Sequence, residues 1–163
     1  MIQAYCEGYG FQGYIFPFVS ILPERNSYGH VFDFYKKLLQ NPDELLILGD
    51  GHQRKSYLYI QDCIDAILLV IDKAQEKGNI YNLGTDEYCE VNDSVGWICR
   101  HLNLSPRLTY SGGERGWIGD NTFIFLDTTH IRALGWKPKL TIQQGIIKTL
   151  EYLRNNQWLL NER

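Results

Sequence analysis

The amino-acid sequence predicts an α/β (mixed α+β) fold, in which short strands alternate with amphipathic helices. Residues 13–22 form a continuous apolar run, as expected of a strand that is covered on both faces in a parallel sheet. Later segments repeat apolar residues at helical spacing, most clearly at Ile142, Ile146, Leu150 and Leu153. The length of 163 residues suits one domain, and we find no repeat, linker or low-complexity tract that would divide it.

Turn and cap residues divide the chain into elements. Helices are expected to end where glycine or proline follows, and to begin where an oxygen-bearing side chain can accept a hydrogen bond from the first turn. The expected elements are, in order, a helix end at 1–8, a strand at 13–22, a helix at 30–40, a strand at 45–48, a helix from Asp62 to about Lys77, a strand at 79–85, an extended piece at 89–91, a helix at 92–102, a strand at 107–110, a short helix ending at Leu134, and a last helix that begins at the capping box of Thr141 and Gln144.

The helix that begins at Asp62 carries a specific packing prediction. Asp62 is the expected N-cap, because its carboxylate can accept hydrogen bonds from the first turn. Ile64, Ile67, Leu68 and Ile71 then recur at i, i+3, i+4 and i+7. We therefore expect these four side chains to form the buried stripe of the helix.

Composition and charge argue against several classes of protein. The net charge of −3 and the scattered lysines and arginines give no basic field for nucleic acid. No apolar run approaches the ~20 residues of a membrane span, and no secretory signal is recognisable at the amino terminus, so we expect a cytoplasmic protein. The histidines lie far apart, and we expect no metal site. The four cysteines, which lack Cys-x-x-Cys spacing and are expected to be reduced thiols, are Cys6, Cys63, Cys89 and Cys99.

The clearest chemical signal lies at residues 49–62. Gly49 and Gly51 allow positive φ, so the chain can reverse sharply there and a ligand can approach the backbone. Arg54 and Lys55 supply positive charge at the same place, and strand alternation should point them to opposite faces. An anion would be the natural ligand. From these residues alone, a simple hairpin connection remains the alternative.

Two motifs together resemble a known family. Residues 49–62 read Gly-Asp-Gly-His-Gln-Arg-Lys-Ser-Tyr-Leu-Tyr-Ile-Gln-Asp. They resemble the Gly-x-Gly-x-Gln-x-Arg/Lys-x-Phe/Tyr-x-x-Val/Ile-x-Asp signature of the extended short-chain dehydrogenases, the NAD-dependent sugar-nucleotide epimerases and dehydratases. Residues 112–120 resemble the family's Arg-x-x-Gly-Asp segment, and Asp127 and the Leu-Gly-Trp-Lys-Pro of residues 134–138 follow in the family's order.

The resemblance covers residues 5–160 and implies the carboxy-terminal lobe of such a protein. One strand and one helix of the nucleotide-binding (Rossmann) domain would be attached to that lobe, and the amino-terminal NAD-binding half would be absent. UDP-glucose 4-epimerase and dTDP-glucose 4,6-dehydratase belong to this family.

The resemblance also implies a site for a UDP- or dTDP-sugar. Lys55 stands at the first phosphate-contacting position, which is usually arginine, and Arg115 stands at the second. The turn of Gly49 and Gly51 and the hydroxyl of Ser20 complete the expected substrate-binding set.

The expected cofactor side of the site is smaller. Phe18 and Val19 lie on the strand end that faces the nicotinamide of NAD in relatives. Pro17 and Pro23 replace the arginine and glycine that the family usually has around this strand. Asp127, like Asp120, is expected to hold the loop and the following helix start rather than to do chemistry.

The family's catalytic pair is missing from this sequence. No tyrosine has a lysine four positions later, and no Gly-x-x-Gly-x-x-Gly turn follows an early strand. We therefore expect no catalytic residue here, and NAD in the complete parent enzyme but not tightly bound to this chain alone. The expected function is the sugar-nucleotide-binding portion of an epimerase or dehydratase, most closely a 4-epimerase.

The alternative is a non-catalytic binding or assembly module that works with a separate nucleotide-binding half. In either case we expect self-association through residues 1–9 and 13–22, because their apolar side chains should pack on the missing half.

Overall fold

A computed structural model describes residues 1–116, 119 and 123–161 of the chain. Most of its helices begin and end close to the predicted positions, but the helix predicted to run to about Lys77 ends at Lys73. The first ends at Gly10, which adopts the left-handed conformation with φ 71°, and the last begins with the predicted capping box of Thr141 and Gln144. The helices are α1 (Ile2–Tyr9), α2 (His30–Gln40), α3 (Ile60–Lys73), α4 (Val91–Leu102), α5 (Thr129–Ala133) and α6 (Ile142–Asn155).

The strands are short and pair two by two. Pairs β1–β6, β2–β5 and β3–β8 are parallel, and pair β4–β7 is antiparallel. Parallel neighbours need long crossover connections, and helices supply them here, which confirms the mixed α/β class. The strands are β1 (Gly13–Ile15), β2 (Ser20–Leu22), β3 (Glu44–Ile47), β4 (Arg54–Lys55), β5 (Tyr57–Tyr59), β6 (Gly78–Ile80), β7 (Cys89–Glu90) and β8 (Arg107–Tyr110).

The prediction of a single strand at residues 13–22 is wrong, because this segment forms two strands with different partners. Pairing with the β6 segment continues past β1, where the Val19 amide donates to the Leu83 carbonyl at 3.2 Å. Pro17 can accept a hydrogen bond from the Leu83 amide (2.8 Å), but it has no N–H to donate to the ladder. The change of neighbour comes after Val19, because the chain pairs with β5 from Ser20 onward.

Asp62 is not the N-cap of α3. The helix begins at Ile60, after an extended Tyr59, so Asp62 lies inside the first turn. Its buried carboxylate instead accepts hydrogen bonds from the backbone amides of Lys139 and Leu140, both at 3.2 Å. Asp62 therefore ties α3 to the segment that leads into α6.

The predicted buried stripe of α3 is also wrong. The buried side chains are Cys63, Ala66 and Val70, whereas Ile64, Leu68 and Ile71 are exposed and Ile67 is only half-buried. Small side chains let the helix approach the strands closely, and the larger aliphatic side chains lie on its outer face. Periodicity could not choose between the two faces because both are apolar.

Two hydrophobic cores hold these elements. The first lies among α2, α4, α6 and strands β3 and β5, where the predicted stripe of α6 is buried as expected. The second forms around Val19, Leu58 and the small face of α3. No helix in the described part of the chain combines the length and apolarity needed to cross a membrane. The side chains of the second core are Val19, Leu58, Cys63, Ala66, Val70, Ala74, Leu83, Ile131 and Trp136.

Helix α2 begins at a contact between three elements. The Nε2 atom of His30 lies 2.7 Å from Oγ of Ser94 on α4, and the imidazole stacks on the Tyr57 ring of β5 with centroids 4.6 Å apart. Burial, followed by the charge of Lys55, lowers the pKa of His30 to about 4. His30 is therefore neutral near pH 7.

The two glycine-rich segments pack against each other. Gly49 has φ 85°, its amide donates to Oγ of Ser111 at 2.8 Å, and its carbonyl accepts from the Gly112 amide at 3.0 Å. The side-chain amide of Gln53 lies over Gly49, and its Nε2 donates to the Leu48 carbonyl at 3.1 Å. A Cβ atom at position 49 would overlap that nitrogen, so the packing requires glycine.

The Gly49→Ala substitution tests this packing. Both Gly49 and Gly113 have φ 85°, so alanine imposes the same backbone strain at either position, about 1–2 kcal/mol. Only at Gly49 must alanine also displace the Gln53 amide, since a Cβ atom at Gly113 would meet no described atom within 4 Å. We expect Gly49→Ala to lower the free energy of unfolding in urea by about 1–3 kcal/mol more than Gly113→Ala. Equal losses of unfolding free energy in the two variants would contradict this packing of Gln53 over Gly49.

Candidate functional site

A cavity of about 690 Å³ lies between β2, the start of α2 and the β4–β5 segment. Its volume is in the usual range for small-molecule sites, about 300–1,000 Å³. Four of the predicted site residues line it, namely Phe18, Val19, Ser20 and Lys55. The structure thus brings together the predicted cofactor-side strand end and the first predicted phosphate position, although they are far apart in sequence.

One extended segment forms a wall of this cavity. Gln53, Lys55 and Tyr57 all line it, because alternate residues of an extended chain point to the same side. Arg54 points elsewhere, and its guanidinium lies over the rings of Tyr88 and Phe123, 5.6 and 4.9 Å from their centroids. This confirms that Arg54 and Lys55 face opposite sides, so Arg54 cannot replace Lys55 in the cavity.

The amino-terminal end of α2 forms another part of the lining. Gly29, His30 and Asp33 all border the cavity, and the N-cap Gly29 makes no side-chain hydrogen bond to the helix. The first-turn amides and the positive end of the helix dipole favour negative charge at this position. Since His30 is neutral, the charge that it adds near pH 7 is small beside that of Lys55.

Three other predicted residues do not line the cavity. Gly49 is buried beneath Gln53, and Gly51 is buried against Asn92, so both glycines shape the turn rather than reach the cavity. Arg115 is exposed, but the next residue, Gly116, lines the cavity and packs against Leu48.

The rest of the second motif is only partly described. Trp117, Ile118 and Asp120 lie outside the described residues. Oδ1 of Asp127 accepts hydrogen bonds from the Thr129 amide at 2.9 Å and from its hydroxyl at 2.6 Å. These bonds lower the pKa of Asp127 and hold the start of α5, as predicted.

The structure adds three residues to the site that the sequence reasoning did not select. Gln53 and Tyr57 stand two positions before and after Lys55, so strand alternation applied to the whole motif would have found them. His30 gave no such signal, because its place in the cavity depends on contacts with Ser94 and Tyr57, which are 64 and 27 positions away.

A second cavity, of about 580 Å³, lies beside α5 and Trp136, and two of its charged lining residues pair with each other. The Arg132 guanidinium donates to Oδ2 of Asp86 at 2.8 Å and lies over the Trp136 ring at 5.4 Å. Oγ1 of Thr128 donates to Oδ1 of the same aspartate at 3.3 Å. This arrangement holds α5 in place.

Neither a metal centre nor a reactive thiol emerges from the described part of the chain. Its histidine, cysteine, aspartate and glutamate side chains form no group of three or more that could hold an ion. The four cysteines are free and buried, and burial raises the pKa of Cys89 to about 12.

The model of the NAD dependent epimerase/dehydratase family matches residues 1–84. The chain is 32% identical over 169 residues to dTDP-D-glucose 4,6-dehydratase of Mus musculus, an alignment that spans 95% of this chain and 44% of the relative.

Two solved epimerases share the fold. A crystal structure of UDP-galactose 4-epimerase superposes with a TM-score of 0.82 at 27% identity, covering 97% of this chain and 51% of that one. The UDP-glucose 4-epimerase of Thermotoga maritima, solved with UDP-glucose, gives a TM-score of 0.81 at 25% identity, covering 95% and 50%. The chain thus spans about half the length of these relatives.

The family match covers more than half of the chain, and the fold and motif order agree with it. The chain belongs to the NAD dependent epimerase/dehydratase family.

Proposed function

We propose that this chain is the sugar-nucleotide-binding portion of an NAD-dependent epimerase or dehydratase, most closely a nucleotide-sugar 4-epimerase, and that it is not catalytic by itself. The observation that carries the proposal is the cavity of about 690 Å³ that gathers Ser20, Lys55 and the amino-terminal end of α2. A UDP- or dTDP-sugar is the ligand class, in keeping with the UDP-glucose bound to the Thermotoga maritima epimerase.

The diphosphate belongs beside Lys55. Its ammonium supplies positive charge, and Gly29 and His30 at the amino-terminal end of α2 line the same cavity. Lysine binds phosphate as a point charge, whereas the arginine usual at this position makes two parallel hydrogen bonds. We therefore expect weaker and less oriented phosphate binding than an arginine would give.

The sugar belongs on the Ser20 side of Lys55. Ser20 and Tyr57 are register partners in the β2–β5 pair, so both residues lie at the same end of the cavity. The exposed Phe18 ring lies at this end as well, where a nicotinamide would meet the sugar in a complete enzyme.

In this proposal, NAD is not held by this chain alone. Gly113, Gly116 and Gly119 repeat the spacing of a dinucleotide-binding turn, but the next described helix, α5, begins only at Thr129. Such a turn must open a helix directly to present its amides to the pyrophosphate. Phe18 and Val19 can flank a nicotinamide, and NAD in the parent enzyme would be held mainly by other residues.

Calorimetric titration with UDP, dTDP and UDP-glucose at low salt tests the proposal. We expect Lys55→Met to weaken UDP binding about 10- to 100-fold, because it removes charge-assisted hydrogen bonds worth about 1.5–3 kcal/mol. Arg115→Ala should also weaken binding, since the loop that carries it touches the cavity through Gly116.

Lys77→Met is the matched control, because it removes the same charge from an exposed position outside the cavity. Equal affinity of all variants, or no binding of any nucleotide by the folded wild-type chain, would contradict the proposal.

A second candidate function is a non-catalytic assembly module that works with a separate nucleotide-binding half. The support for this second candidate is the apolar surface that the chain exposes. Helix α1 exposes Tyr5 and Tyr9, whose rings stack at 5.5 Å, and α3 exposes the face of Ile64, Leu68 and Ile71. Strand β1 pairs with β6 alone among the described strands, so one of its edges is open to another chain.

Sedimentation velocity at increasing protein concentration tests whether these faces drive self-association. We expect the wild-type chain to form dimers or larger species, and Tyr5→Ser or Leu68→Ser to shift it toward monomer by reducing exposed apolar area. Leu39→Ser is the matched control for Leu68→Ser, because Leu39 is exposed to a similar extent on α2 (53% against 60%). Monomeric wild-type protein at the highest concentration would contradict association.

A further inference from the structure

Gln53 is a buried residue whose side-chain amide is only half satisfied. The residue is 8% exposed, and its Nε2 donates to the Leu48 carbonyl at 3.1 Å. Its Oε1 finds no hydrogen-bond donor in the part of the chain that the structure describes. Exchanging the two amide atoms would not help, because Oε1 would then face the Leu48 carbonyl oxygen.

An unpaired acceptor in such a place needs an explanation. Leaving a buried carbonyl oxygen without a donor costs about 1–3 kcal/mol. Gln53 lines the cavity of about 690 Å³, so a bound molecule can bring the missing donor once the buried side-chain carbonyl turns toward the cavity.

The position of Gln53 along the cavity wall indicates which part of a ligand it meets. Extended residues rise about 3.3 Å each, so Gln53 and Tyr57 lie about 7 Å from Lys55 in opposite directions. Tyr57 is the register partner of Ser20, on the sugar side. Gln53 instead borders Leu48, an apolar and exposed side chain of the cavity lining.

We infer that Oε1 of Gln53 accepts a hydrogen bond from the nucleoside of the bound nucleotide, which makes Gln53 a specificity residue of this site. The inference rests on the proposed function, because it takes the diphosphate to lie at Lys55. A uracil or thymine base can supply an imide N3–H donor, and a ribose can supply a hydroxyl donor.

Titrating the chain with UDP, CDP, 2′-deoxy-UDP and inorganic pyrophosphate separates these donors. Cytosine has an acceptor at N3, and the deoxynucleotide lacks the 2′-hydroxyl. We expect wild-type protein to bind UDP about 3- to 10-fold more tightly than CDP if the base is the donor, or than 2′-deoxy-UDP if the ribose is.

The Gln53→Met substitution keeps the side-chain length and removes the acceptor. It should abolish the preference by weakening UDP alone, with pyrophosphate binding unchanged. Gln61→Met is the matched control, because Gln61 is exposed on α3 and does not line the cavity. A purely structural role for Gln53 would lower stability and weaken all nucleotides together, without changing their ratio.

Two results would overturn the inference. One is equal affinity of wild-type protein for UDP, CDP and 2′-deoxy-UDP, and the other is a preference that persists in Gln53→Met. Either result leaves the proposed function unaffected. If no ligand binds, pyrophosphate included, both the inference and the proposed function are contradicted. If Gln53→Met does not fold, the side-chain amide resonances of Gln53 in the wild-type protein test the inference instead. We expect these resonances to shift more with UDP than with the weaker analogue. Equal shifts with both ligands would refute the contact.

Discussion

The cavity depends on the absence of a side chain at residue 49. Because Gly49 has no Cβ, the Gln53 amide can lie over its backbone and donate to the Leu48 carbonyl. The same glycine is bonded to Ser111 and Gly112, so one residue joins the turn after β3 to the loop after β8. From this fixed point the chain extends through Lys55 and Tyr57, which face the cavity together.

The residues of this wall have different roles in the proposed function. In this proposal, Lys55 supplies charge for a diphosphate, and Tyr57 and Ser20 lie on the side of the sugar. Gln53 offers an acceptor next to the apolar Leu48. A nucleotide sugar has the same order of groups, with its diphosphate between sugar and nucleoside. The tyrosine and lysine pair that carries out proton transfer in the family has no counterpart in this sequence.

Local signals in the sequence predicted much of the fold. Helix α2 lies at the expected residues 30–40, and the capping box of Thr141 and Gln144 begins α6 as expected. The predictions failed where the outcome depended on tertiary partners. One expected strand changed its neighbour after Val19, and periodicity could not show which of the two apolar faces of α3 is buried.

The residues of the candidate site could also be predicted only in part. The motif located Lys55, and its resemblance to a family identified Phe18, Val19 and Ser20, which the structure places in the same cavity. His30 could not be predicted, because burial and two distant contacts bring it there. Gln53 was visible in the motif, but its unpaired oxygen became apparent only once its packing over Gly49 was known.

Hydrogen–deuterium exchange with and without UDP-glucose tests the central claim, that the sugar nucleotide occupies the cavity between β2, α2 and the β4–β5 segment. The account predicts slower exchange at the start of α2, from His30 to Phe32, and at residues 53–57. It predicts no change at residues 127–137, which border the second cavity. Protection confined to residues 127–137, or no protection at saturating ligand, would contradict the account.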